Sequence, residues 1–161
     1  MPNTKANLLI VDDEPSIRMT LTFLFEEIGY RVRTAEDGRS ALIRIGEEIP
    51  EILLSDLHMP GMSGFELLAE VRSRFPDLRT IAMSGAFSGD EVPCGVAADA
   101  FYQKGSGMGL LLRMMEANVQ GPRVQDDFAA GRRGEQDRLP AFQSGLTGPS
   151  PAPGDLQTIN C

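Results

Sequence analysis

The sequence predicts an α/β domain, doubly wound around a five-stranded parallel sheet. Two observations predict it. Five short apolar runs alternate with periodic segments of ten or more residues, the pattern of strands joined by crossover helices. Four of the runs, the first, third, fourth and fifth, lead within two residues to Asp12, Asp56, Ser84 and Lys104, at the strand ends where open parallel sheets collect ligands.

The first strand, Leu8–Val11, runs straight into Asp12, Asp13 and Glu14. Pro15 suits the first turn of the following helix, on which Ile17, Leu21, Leu24 and Ile28 share a face before Gly29 ends it. Val32–Ala35 is the second strand. Ala41, Leu42, Ile45 and Ile49 form the apolar stripe of the second helix, which Pro50 stops. Ile52–Leu54 is the third strand and delivers Asp56. The third helix opens on the capping box Ser63-Gly64-Phe65-Glu66 and continues with Leu67, Leu68 and Val71. Thr80–Met83 is the fourth strand and ends on Ser84. Ser88 and Glu91 make a similar box for a fourth helix, which Pro93 and Gly95 leave short or irregular. Ala100–Tyr102 is the fifth strand, leading to Lys104, and Leu110, Leu111, Met114 and Met115 stripe a fifth helix.

This domain occupies residues 5–120. From Gly121 the character changes: residues 121–161 contain 5 of the 11 prolines and 6 of the 17 glycines, with no sustained period. Such a segment buries too little apolar surface to offset the entropy of ordering, so a flexible tail without a second domain is expected.

Bulk properties narrow the function. No apolar run approaches the length of a membrane span and no signal-peptide core opens the chain, so a cytoplasmic location and no membrane partner are expected. The net charge of −8 argues against a nucleic-acid surface, which needs Lys and Arg for the phosphates. Two cysteines and one histidine are too few for a disulfide framework or a His-based zinc site.

The convergent strand ends carry the strongest functional signal. Asp12 and Asp13 alone read as a solvated loop. Joined to Asp56, Ser84 and Lys104 they form a set with a chemistry. Carboxylates crowded into a partly buried pocket raise one another's pKa, and Mg²⁺, a hard cation with oxygen ligands, relieves that repulsion. One carboxylate can then act as a nucleophile at phosphorus, while Ser84, Lys104 and the metal share the charge of the phosphoryl oxygens.

The segments VDDEPSIR, LLSDLHMPGMSG, MSGA and FYQKG stand in the order and at the intervals of the receiver domain of two-component response regulators, which residues 5–120 resemble. The resemblance implies a flavodoxin-like fold with strand order 2-1-3-4-5 and five helices. It implies that Asp56 accepts a phosphoryl group from a histidine kinase or histidine phosphotransfer protein. Asp13 would bind Mg²⁺ directly, Asp12 mainly through water, and Asp56 and the backbone carbonyl of His58 would complete the protein ligands. Ser84 and Lys104 would contact the phosphoryl group, and Phe101 would turn inward as Ser84 moves. The expected role is a stand-alone switch for an unknown downstream protein, and not an enzyme beyond self-catalysed phosphorylation and dephosphorylation. One departure is Gly105, where the family usually has a cis proline. A cis bond before a non-proline residue costs about 3–4 kcal/mol, so a trans bond is expected here. Two other readings are an aspartyl-phosphate phosphatase and a phosphorylation-independent binding module. The first lacks its usual second Asp, since Asp56-Leu57-His58 has His there, and the second draws support from Gly105 and the irregular fourth helix.

Overall fold

Burial on both faces explains why the strands are nearly continuous apolar runs. In the computed structural model, which describes residues 4–89 and 91–120, five parallel strands form one sheet in the order β2-β1-β3-β4-β5. The strands are β1 (Asn7–Val11), β2 (Arg31–Ala35), β3 (Ile52–Asp56), β4 (Arg79–Ser84) and β5 (Ala100–Gln103). The helices are α1 (Pro15–Glu27), α2 (Gly38–Glu47), α3 (Gly64–Arg74) and α4 (Met108–Gln120). All five expected strands are present, each within two residues of its expected limits. Residues 121–161, read above as a flexible tail, lie outside the described residues.

Alternation along the strands divides the core. Leu9, Val11, Leu53 and Phe101 face one side, with Ala41 and Ile45 of α2 and Leu67, Leu68 and Val71 of α3. Leu8, Ile10, Leu54 and Tyr102 face the other, with Leu21 and Phe25 of α1 and Leu111 and Met115 of α4. In β3, the central strand, every residue is buried. Two details differ from the sequence reading. On α1 the deepest side chain is Phe25, closed by an edge-to-face contact with Tyr30 at 5.5 Å, whereas Leu24 is only partly buried. Ile49, placed in the stripe of the second helix, is 58% exposed because α2 ends two residues earlier, at Glu47.

The fourth of the five expected helices is absent among the described residues. Between β4 and β5 the chain runs without helix. Pro93 lacks an amide hydrogen, and Gly89 and Gly95 take φ of 104° and 82°, which no right-handed helix contains. Side-chain anchors hold this crossover instead. Phe87, Val92, Val96 and Ala98 pack on the core beside α3. Asp99 accepts the Thr80 N–H at 2.8 Å and pairs with Arg72 of α3 at 3.1 Å, which fixes the entry to β5.

The turn from β3 into α3 is the tightest point. Ser63 caps the helix through a reciprocal box with Glu66, and Gly64 follows with its backbone against the end of β3. A Cβ on Gly64 would lie 1.9 Å from the Asp56 carbonyl oxygen, so only glycine lets the helix approach this closely. Gly64→Ala should therefore cost about 2–3 kcal/mol of unfolding free energy in urea titrations, in the range of an overpacked core. Gly46→Ala, on exposed α2 surface with nothing within 4 Å of the added carbon, should instead gain about 0.5 kcal/mol.

Candidate functional site

Register alone brings the site together. Val11 of β1 pairs with Ser55 of β3, so the next residues, Asp12 and Asp56, end neighbouring strands. Asp56 pairs with Met83, which puts Ser84 one step beyond it on β4. Ser84 pairs with Gln103, which puts Lys104 one step beyond on β5, and the Lys104 N–H bonds to the Ser84 carbonyl at 2.9 Å. Four residues thus step along one edge of a sheet whose strands lie about 4.8 Å apart. Asp13 follows Asp12 at the exposed mouth.

Each of Asp12, Asp13 and Asp56 offers a carboxylate oxygen, all within 4.8 Å of one another. Asp12 and Asp56 are buried and Asp13 is exposed. Lys104 reaches across from β5, with Nζ at 2.7 Å from Asp12 Oδ2 and 3.4 Å from Asp56 Oδ2. Its reach needs no cis bond: the described peptide bonds are all trans, and Gly105 turns the chain at φ 94°. The other Asp12 oxygen, Oδ1, accepts the Glu14 N–H at 2.9 Å, and Arg18 of α1 donates to the Asp12 carbonyl at 2.6 Å.

The charge balance of this pocket is unequal. Burial pushes the Asp56 carboxyl above its ordinary pKa; Lys104 opposes this, and the negative Asp12 adds to it. Burial pulls the Lys104 ammonium down, but its hydrogen bond to Asp12 and the charges of Asp12 and Asp56 outweigh that and hold it above the usual value. One cation among three carboxylates leaves negative charge uncompensated, and every donor is a hard oxygen. The set therefore fits a divalent cation such as Mg²⁺.

Ser84 is fully buried, and its Oγ accepts the Ala86 N–H at 3.0 Å. From the sequence, His58 offers the site its backbone carbonyl first, with its exposed side chain at most a control on water access. The ring is on the surface, yet Nδ1 lies 3.1 Å from Ser84 Oγ, and the imidazole stacks on Phe87 at 5.9 Å and meets Phe65 edge-on at 5.8 Å. Phe87 in turn meets Phe101 edge-on at 6.2 Å, and Phe101 is buried with 1% exposure. Sequence reading found Phe101 and the site's acids but missed this ring chain, because its members come from separate loops, a helix and a strand. It also missed Arg18, which reaches back six residues from the first turns of α1 to the Asp12 carbonyl.

These features match known proteins. A sequence model of the response regulator receiver domain matches residues 8–114. Response regulator MprA of Mycobacterium ulcerans is 32% identical over 125 residues, covering 76% of this chain and 54% of MprA, so the chain spans about half that relative's length. TrrA of Thermotoga maritima, a response regulator protein solved with Mg²⁺-BeF, is 32% identical with a TM-score of 0.64 over 70% of this chain and 97% of TrrA. TrrA solved in complex with the histidine kinase ThkA gives the same identity, score and coverage. With the strand order, the converging carboxylates and a family match across two thirds of its length, the chain belongs to the response regulator receiver domain family.

Proposed function

We propose that this receiver domain is a phosphoacceptor switch in which Asp56 takes a phosphoryl group from a histidine kinase or a histidine phosphotransfer protein. The observation that carries the reading is the cluster of three carboxylate oxygens within 4.8 Å, with Lys104 bound to two of the residues. The TrrA–ThkA complex supports the class of donor.

Asp13, Asp56 and the His58 carbonyl would hold Mg²⁺ directly. Asp12, whose oxygens already serve Lys104 and the Glu14 N–H, would act through water. The bound cation supplies charge neutralisation at the phosphoryl oxygens. A carboxylate oxygen of Asp56 attacks phosphorus in line, the P–N bond to the donor histidine breaks, and the leaving imidazole keeps the bonding pair. Lys104 moves its ammonium from Asp56 to a phosphoryl oxygen, and the Ser84 hydroxyl donates to another. Phe101 then follows Ser84. The acyl phosphate makes the chain a phosphoacceptor, with self-catalysed loss of phosphate its only turnover. The helix-free crossover between β4 and β5 favours a second reading, a binding module indifferent to phosphorylation. Equal partner capture with and without beryllofluoride would select it.

Incubation with Mg²⁺ and acetyl phosphate should retard the protein on Phos-tag gels, and Asp56→Asn should abolish the shift in a folded protein. An unshifted wild type that matches this variant would overturn the proposal.

Mg²⁺ at a hundred times its Kd should raise the unfolding free energy by about 2.7 kcal/mol, and Asp13→Asn should remove most of that gain. Protons and Mg²⁺ compete for the Asp56 oxygens, and the Asp56 pKa is raised. Mg²⁺ affinity by calorimetry should therefore hold above that pKa and fall as pH drops through it, starting at a higher pH than for a free aspartate.

In EDTA the sign for stability is opposite. Between its unfolded pKa and its raised folded one, Asp56 binds more proton folded than unfolded, so stability falls as pH rises through that window. Asp56→Asn should raise the metal-free Tm at pH 7.

A further inference from the structure

His58 does more than lend a carbonyl. Its ring is the outermost member of a chain of aromatic contacts that ends on buried Phe101, and its Nδ1 sits at hydrogen-bond distance from Ser84 Oγ. Ser84 Oγ already accepts the Ala86 N–H, so its single hydrogen is available to Nδ1. A hydroxyl donating to His58 cannot donate to a phosphoryl oxygen on Asp56. The same imidazole lies nearly parallel to Phe87, with 29° between the planes. Phe87 belongs to the crossover between β4 and β5, which no helix stiffens. One ring therefore touches both the hydroxyl that must turn and the segment best placed to follow it.

We propose that His58 is a latch and positioning residue: in the unphosphorylated protein its Nδ1 holds the Ser84 hydroxyl away from Asp56, and its release transmits the turn of Ser84 to Phe87. This rests on the reading of Asp56 as phosphoacceptor, and it adds a residue that sets how readily the site is occupied. In the latch the Nδ1 lone pair accepts the Ser84 hydroxyl hydrogen and Nε2 carries the ring hydrogen. Occupancy of Asp56 exchanges this bond for one from Ser84 to the phosphoryl oxygen, and no covalent bond to His58 forms or breaks. The crossover is then freed from the ring that pinned it.

His58 is the chain's single histidine, so its imidazole nitrogens are identified without ambiguity by ¹⁵N NMR. In the ligand-free protein, Ser84→Ala should move the Nδ1 resonance towards that of an unbonded pyridine-type nitrogen. Saturation of the wild type with Mg²⁺ and beryllofluoride should move it the same way. Two variants separate the ring from its nitrogen. His58→Phe keeps the stack on Phe87 and removes the acceptor, and should bind beryllofluoride about 5-fold more tightly, as expected from losing one neutral hydrogen bond in the free state. His58→Asn places an acceptor oxygen where Nδ1 was and removes the ring. Its affinity should lie below that of His58→Phe, while the amide shifts of residues 86–89 on beryllofluoride binding shrink. A resonance indifferent to Ser84→Ala, or a His58→Phe affinity within twofold of wild type, overturns the latch. If beryllofluoride leaves even the amides around Asp56 unmoved, the phosphoacceptor reading fails, and the latch fails with it as a device of that site; the Ser84→Ala spectrum still reports whether the hydrogen bond exists.

Discussion

Like charges forced together at the end of a sheet are the constraint on which the rest of this molecule turns. At an effective dielectric of 20, two carboxylates 4 Å apart repel by about 4 kcal/mol, and this site crowds three of them into a partly buried pocket. Lys104 makes that tolerable. Its ammonium arrives from the far edge strand, beyond β3 and β4, to sit on Asp12 and Asp56. Burial outweighs that attraction at Asp56, with the charge of Asp12 adding to it, which is why Asp56 holds its proton more tightly than a free aspartate. A protein that kept this arrangement only for stability would do better with apolar groups of the same size. The acidic cluster has the donor chemistry of a divalent-cation site.

The surrounding fold holds that pocket in place. Strand β3 is buried along its whole length and carries Asp56 at its end, so the carboxylate has little freedom to swing into water. Gly64 lets the N-terminus of α3 sit directly on the Asp56 backbone, and the Ser63 box pins the start of that helix. Arg18 and the Glu14 amide fix Asp12 from the opposite side. The site is rigid where the acids stand. On the side of Ser84, Asp99 and apolar side chains anchor the crossover to β5, whose described residues form no helix. On the phosphoacceptor reading proposed above, a charge change at Asp56 would displace the helix-free crossover more cheaply than the sheet.

Local patterning along the chain specified the sheet, the helices that cover it and the polar residues at its edge. Apolar runs buried on both faces leave little choice of strand limits, and capping residues such as Ser63 mark helix starts locally. Asp12, Asp13, Asp56, Ser84 and Lys104 were legible because each follows a strand within two residues. The fourth helix was misjudged because a capping pattern at Ser88 and Glu91 is a local signal. Pro93, together with glycines in left-handed conformations, outweighed it over the longer segment. The pairings came from packing in three dimensions: Lys104 favouring Asp12 over Asp56 by 0.7 Å (2.7 against 3.4 Å), Arg18 on the Asp12 carbonyl, and the ring of His58 between Ser84 and Phe87. Those contacts join residues as many as 92 positions apart, and no periodicity along the chain encodes where a long or aromatic side chain comes to rest.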